Sequence, residues 1–323
     1  MGAFSRRRLL AHGGAALAFA PALARAAALP PATTSAPAIP PKPSAEAIQA
    51  FLDATRRMTL DVSIDDKGPF RFMVDTGADQ SVISTEVAQQ LGLIHGDDVT
   101  VQGISRAVTA PTVQLNDVRF GYVAIDSLMA PVLPRAWLGA DGYLGLDVVD
   151  GRKVTFDFEH EQIKVDVSDH PADWVHSSDV IVRVNGSNGR LKAVNCSVDG
   201  VHAYAFIDSG AEMSIGNSHL FAALQEKGAS YISDAAVPIV GVTGGMSPGR
   251  FTSVKDIKLG SLSFLHSNLV IADLQVFDVW GLNDRPALFI GMNFLRQTSA
   301  LTIDFGLKEF RFRLASIRLA SRA

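Results

Sequence analysis

Residues 74–83 read VDTGADQSVI, and residues 207–216 read IDSGAEMSIG. In each stretch a run of apolar strand residues delivers an aspartate and breaks at once into Thr-Gly-Ala or Ser-Gly-Ala. Over the eight positions from each aspartate, four are identical (Asp, Gly, Ala, Ser) and three are conservative (Thr/Ser, Asp/Glu, Val/Ile). Asp75 and Asp208 are 133 residues apart. An ionised carboxylate is costly to bury where a strand leaves its core unless something pairs with it. The same acidic turn written twice points to the other copy as the partner.

The doubling reaches well beyond these turns. Upstream, LDVSIDDKGPFRFMVD (60–75) and AVNCSVDGVHAYAFID (193–208) each read as two alternating strands, around Asp-Asp-Lys-Gly in copy one and Asp-Gly in copy two. Downstream, each copy carries a helix-like run, Ser84–Leu93 and NSHLFAALQEKGA (217–229). Ser84, and Asn217 or Ser218, are the expected N-caps, with Gly92 and Gly228 as stops. Extended stretches with a central glycine follow: VTVQGISRAVTAPTVQL (99–115) and VPIVGVTGGMSPGRFTSV (237–254). YLGLDVV (143–149) then matches FIGMNFL (289–295), and VTFDFEHEQIKV (154–165) matches LTIDFGLKEFRF (301–312). The separation grows from 133 to 147, which places the extra residues of copy two around Leu274–Arg285. The chain is therefore a duplicated, mostly β unit of about 110–130 residues.

The chain has 323 residues, a net charge of -4 and 47% apolar residues. That balance suits a globular protein with a sizeable core, and the length alone suggests roughly two domains. No basic stripe stands out in its body, so a nucleic-acid partner is not expected. Residues 1–28 differ: SRRRLL (5–10) opens a basic segment, and an Ala/Leu-rich run continues to Ala20. The run is too short and too weak to span a bilayer. It reads as an export signal of twin-arginine-like spelling, implying the bacterial periplasm. Residues 29–46, rich in Pro and Ala, read as a tether. Two lobes are expected at 47–168 and 179–315, joined by a polar linker (169–178) and ending in a tail (316–323). The single cysteine, Cys196, allows no internal disulfide and leaves the signal without a lipid-attachment site; it reads as a small core residue. The eight histidines show no metal-ligand spacing, so neither a metal nor a cofactor is expected. Gly245–Gly249 spells Gly-x-Ser-x-Gly, but Pro248 lacks the N–H that a nucleophile elbow needs after its serine.

Two copies of a unit bearing one aspartate imply a pseudo-twofold axis that brings Asp75 and Asp208 face to face. Carboxylates about 3 Å apart share one proton, and their apparent pKa values separate. The pair then offers a base for a water and an acid for a carbonyl, which is general acid–base hydrolysis. Gly77 and Gly210 let the backbone pass close beneath the carboxylates, and Thr76 and Ser209 supply hydroxyls that can lock the turns to each other.

VDTGADQSV and IDSGAEMSI resemble the active-site loops of aspartic proteases, specifically the retropepsin-like branch. YLGLD and FIGMN resemble that family's second apolar-apolar-Gly element. The resemblance covers roughly 56–165 and 179–313. It implies a mainly β chain of two tandem retropepsin-like barrel lobes with one short helix each, acting as a monomeric aspartic endopeptidase on a peptide or protein. It also implies flaps at Gln102-Gly103-Ile104-Ser105 and at Gly241-Val242-Thr243-Gly244, closing over an extended peptide. Ala78 and Ala211 stand where pepsin-like loops carry a hydroxyl that donates to the carboxylate. Without that donor the dyad is expected to be less acidic than pepsin's, with activity in mildly acidic to near-neutral conditions. Two other readings remain open: a non-catalytic peptide-binding protein of the same fold, and an actin/sugar-kinase-type fold whose duplicated Asp-x-Gly turns bind phosphate.

Overall fold

The computed structural model describes residues 48–52, 57–149, 151–168, 179–187, 190–228 and 232–314. The expected signal, tether, linker and tail lie outside the described residues.

In the first lobe, β1 (Ile48–Leu52) leads into the hairpin β2 (Met58–Ile64) and β3 (Lys67–Val74). Its turn holds Asp65 and Asp66 at φ 49 and 58, the left-handed pair that matches strand twist in a tight hairpin. After the acidic turn come β4 (Val82–Ser84) and α1 (Thr85–Leu91). The Ser84 side chain accepts from the Val87 N–H, and Gly92 ends the helix at φ 66, so both expected punctuation marks are used. The lobe continues with β5 (Asp98–Gln102), β6 (Ala107–Phe120), β7 (Val123–Leu133), α2 (Arg135–Leu138) and β8 (Gly142–Leu144). It closes with α3 (Leu146–Val149), β9 (Arg152–Asp157) and β10 (Gln162–Val167).

The second lobe repeats the plan. It opens with β11 (Asp179–Arg183), β12 (Asn185–Ser187), β13 (Arg190–Val198), β14 (Val201–Ile207) and β15 (Ile215–Gly216). Next are α4 (Ser218–Glu226), capped by Asn217, then β16 (Ile232–Val240), β17 (Met246–Leu259) and β18 (Leu262–Ile271). It ends with α5 (Gln275–Val279), β19 (Ala287–Ile290), α6 (Met292–Leu295), β20 (Ala300–Asp304) and β21 (Glu309–Arg313).

The chain is mainly β and two-lobed. The helices expected from sequence are α1 and α4. Each lobe adds two segments of four or five residues, α2 and α3 or α5 and α6, too short to show a helical apolar period. The added length of copy two is split. The turn glycines Gly121 and Gly260 (φ 56 and 59) are 139 residues apart (260 − 121), whereas Gly145 and Gly291 are 146 apart (291 − 145). Seven of the extra residues therefore fall between β18 and β19, as expected. Six more precede β17, spread from α4 to the second flap, where expectation placed none, and one follows Gly291.

The lobes join through six antiparallel strands in the order β11-β21-β20-β9-β10-β1. At the middle, β9 pairs with β20 in the register Thr155↔Thr302. These two residues occupy the same place in each copy, so the pseudo-twofold axis passes between them. Above this platform, β3 lies parallel to β8 and β14 parallel to β19, and the acidic turns leave β3 and β14 side by side at the axis. Cys196 is buried in β13, and burial pushes its thiol up to about 12. That is core behaviour, since an inert thiol is a protonated one.

Candidate active site

Each aspartate is anchored by the apolar-Gly element behind it. The Asp75 N–H donates to the Leu144 carbonyl (2.9 Å) and the Asp208 N–H to that of Ile290 (3.1 Å). On the far side of each turn, the Leu146 N–H donates to Ala78 O (2.8 Å) and the Met292 N–H to Ala211 O (2.9 Å). Gly145 and Gly291 let these strands meet: a Cβ on Gly145 would lie 2.6 Å from the Gln80 carbonyl carbon, and one on Gly291 2.8 Å from the Ala211 oxygen.

The serine six residues after each aspartate ties the same parts together. Ser81 Oγ accepts from the Gly145 N–H (3.0 Å) and donates to Asp147 (2.7 Å). Ser214 Oγ accepts from Gly291 (2.9 Å) and donates to Asn293 (2.8 Å). Burial raises the Asp147 carboxyl above its ordinary range, against the Ser81 donors that lower it. Copy two does the same job with an amide that does not titrate.

The two turns are then locked to each other. The Thr76 N–H donates to Ser209 Oγ and the Ser209 N–H to Thr76 Oγ1, each at 3.1 Å. The hydroxyls complete the lock: Thr76 Oγ1 donates to Ile207 O (3.1 Å) and Ser209 Oγ to Val74 O (2.7 Å). All four bonds are buried, each with a net value of about 1 kcal/mol.

This lock sets the carboxylates against each other. Asp75 is fully buried and Asp208 is 4% exposed. A Cβ on Gly210 would lie 2.5 Å from the Asp75 carboxyl carbon, and one on Gly77 would lie 2.9 Å from that of Asp208. Each glycine thus makes room for the other copy's carboxylate. The Gly77 N–H donates to Asp75 Oδ1 (2.8 Å); those of Gly210 and Ala211 donate to Asp208 Oδ1 (2.9 and 3.1 Å). Each carboxyl is thus packed against the other copy's turn, close enough for the charge of Asp75 to bear on Asp208. Burial first, then the charge on Asp75, push Asp208 well above the ordinary carboxylate range, while the Gly210 and Ala211 N–H groups pull it down. Like charges buried side by side favour one shared proton over two ionised carboxylates.

The two expected flap hairpins meet at their tips. The first hairpin turns at Gly103–Arg106, where the Gly103 N–H donates to Arg106 O (2.9 Å); the second turns at Gly241–Gly245, closed at 3.0 Å. The tips cross. Ile104 is buried in the second lobe's apolar cluster with Ile239, Val270 and Phe289. Val242 is buried in the first lobe's cluster with Met73, Leu138 and Tyr143. Thr243 is fully buried against Gly103, which has no room for a Cβ. Ser105 accepts from Ser247 across the gap, whereas Gln102 bonds back to the Gly103 carbonyl of its own hairpin. The void beside the dyad loop, lined by Thr76, Gly77, Phe206 and Trp280, encloses about 10 Å³, room for one water at most.

Several site residues escaped the sequence reading. Arg57 is buried, with Nη1 donating to Tyr143 OH (3.1 Å) and to Gly210 O (3.4 Å), which places a cation behind the second acidic turn. Nothing around Arg57 in the sequence marks it. Asp147 and Asn293 were legible in principle, as the polar residue two after the glycine in both YLGLD and FIGMN.

Paired aspartate turns at the axis of two β lobes, with two hairpins whose tips interlock, define the fold of a two-lobed acid protease. A family profile described as aspartyl protease matches residues 60–148 and 194–294. The chain belongs to the aspartyl protease family, on its retropepsin-like branch. Among solved structures it is similar to the aspartic proteinase from Irpex lacteus, with a TM-score of 0.52 and 12% identity over 86% of this chain and 99% of that one. No protein of curated function matches the chain.

Proposed function

We propose that the protein is an aspartic endopeptidase in which Asp75 and Asp208 share one proton and activate a water. The observation that carries this reading is the buried carboxyl pair, each member packed against the other copy's glycine and held there by the reciprocal Thr76–Ser209 lock. In the resting dyad one carboxyl is ionised and takes a proton from a water between the two. The water oxygen attacks the scissile carbonyl carbon, while the protonated carboxyl donates to the carbonyl oxygen. Collapse of the tetrahedral diol breaks the C–N bond as a proton passes to the leaving nitrogen. The N–H donors of Gly77, Gly210 and Ala211 fix the carboxylate planes throughout. The flaps must part to admit a peptide, because in the closed form Ile104 and Val242 are each buried in the opposite lobe's apolar cluster.

The substrate class is an extended peptide or an unfolded protein segment, and both halves of the site come from one chain, so the protein acts as a monomer. With the leader at residues 1–28, its place of work is the bacterial periplasm. Digestion of a peptide library, with new termini read by mass spectrometry between about pH 4 and pH 7, tests the activity. Discrete new termini are expected. An undigested library throughout that range overturns the proposal.

A further inference from the structure

The two flap tips are interlocked as well as adjacent. Arg106 Nε donates to the Thr243 carbonyl (2.9 Å), and Thr243 Oγ1 donates back to the Arg106 carbonyl (3.0 Å). The Arg106 guanidinium also lies 5.5 Å from the centroid of the Trp137 ring. Gly244, at φ +69, passes so near that ring that a Cβ would fall 2.5 Å from its Cε2 atom. Gly245 meets the other jaw, with a Cβ there 2.9 Å from Arg106 Cγ. The tip Thr243-Gly244-Gly245 is thus gripped between Arg106, on the opposite flap, and Trp137, in α2 on the body of the first lobe.

This grip is one-sided. In the second lobe the tryptophan after α5, Trp280, turns into the core against Phe206 (4.4 Å) and Phe289 (4.9 Å). The first flap is held there by the burial of Ile104 among apolar side chains. Both tips are seated by apolar contact, Ile104 in one lobe's cluster and Val242 in the other's, and the second is held in addition by a hydrogen-bonded, ring-stacked clasp whose cation is exposed. The clasp's two hydrogen bonds are only part-buried, and polar contacts to an exposed side chain are weak enough to break on the timescale of lid motion.

We propose that Arg106 and Trp137 are positioning residues that clasp the second flap shut, so that the resting protein is closed and release of this clasp admits the peptide. As a gate to catalysis this rests on the proposed activity; as the contact that keeps the flaps closed it does not. The apparent affinity for a ligand that needs the open form is reduced by the fraction of molecules that are open. Weakening the clasp therefore tightens peptide binding.

The test is hydrogen exchange on the purified full-length protein without substrate, comparing wild type with Arg106→Ala, Trp137→Ala and Trp137→Phe. Both alanine variants are expected to speed exchange at Gly103, Gly241 and Gly244 by about tenfold or more, with amides of β9 and β20 unchanged. Trp137→Phe keeps a ring and stays near wild type. Flap exchange unchanged in Arg106→Ala overturns the clasp, and so does an equal acceleration in β9 and β20, which signals loss of global stability instead. Should Trp137→Ala fail to fold, Arg106→Ala decides alone, since its side chain is on the surface. On a cleaved peptide, Arg106→Ala should lower KM about threefold or more without raising kcat; a raised KM contradicts the gate. A protein that cleaves nothing but shows the exchange pattern keeps the clasp and loses the proposed activity.

Discussion

Thr155 and Thr302, the same residue of the two copies, meet across the lobe interface with their hydroxyl oxygens 2.9 Å apart. They lie 147 residues apart in the chain, and each is the other's partner in the β9–β20 register. A residue that pairs with its own duplicate marks a symmetry axis, and the same axis runs up to the Asp75–Asp208 pair. The lobes are thus joined twice along one line, by a sheet below and by the reciprocal Thr76–Ser209 lock above.

Removing one of the two threonine hydroxyls should cost more than half of what removing both costs. Thr155→Val and Thr302→Val are each expected to destabilise by about 1 kcal/mol or less, and the double variant by less than their sum. Urea unfolding of the four proteins gives the coupling. Additive costs would show that the hydroxyl pair contributes nothing to the joint.

Ser209→Ala removes the acceptor for the Thr76 N–H and the donor to Val74 O. Both groups are left buried and unpaired, at about 1–3 kcal/mol each. Thr76→Ser keeps the hydroxyl and loses one methyl, about 1 kcal/mol. Denaturant midpoints should therefore fall far more for Ser209→Ala than for Thr76→Ser. Equal midpoints would remove the lock from the account of how the dyad is held.

Asp208 titrates above the ordinary range in the folded protein because it is buried beside Asp75. The folded state thus binds its proton more tightly than the unfolded chain does. Its contribution to stability is full below the unfolded pKa, about 3.9, and is lost as pH rises through the raised folded value. Asp208→Asn is expected to raise the melting temperature near pH 7 relative to wild type, with the gap closing toward about pH 4. A variant less stable than wild type at neutral pH contradicts this sign.

Asp147 and Asn293 do the same work on Ser81 and Ser214, so copy two supplies the control for copy one. Asp147→Asn should stay within about 1 kcal/mol of wild type and gain stability relative to it as pH rises, because the raised Asp147 carboxyl no longer has to ionise. Asp147→Leu strands the Ser81 donors and should cost about 1–3 kcal/mol or more. Thermal unfolding of both variants across pH settles the comparison.

Much of this was legible because duplication exposes function to comparison within one chain. Asp75 and Asp208, the glycines beneath them, the hydroxyls beside them and the two flap hairpins all repeat in order, and the structure brings them to one axis. What was not legible depends on contacts that no repeat encodes. Arg57 acts through the distant carbonyl of Gly210. Arg106 and Trp137 meet the other lobe's flap on one side only. The six extra residues before β17 enter a few at a time between α4 and the second flap, too few at any one place to stand out against the repeat. The crossing of Ile104 and Val242 into opposite lobes is likewise a tertiary fact, since either residue alone reads as an ordinary apolar hairpin tip.

The central claim is that two acids from separate copies act as one catalytic unit. Its most direct test is kcat/KM for a single cleaved peptide, measured for wild type, Asp75→Asn and Asp208→Asn at the pH of maximal wild-type activity. The account predicts that both variants lose about a thousandfold or more, and by similar factors, because a shared proton needs both carboxyls. Substantial cleavage by either variant would contradict it.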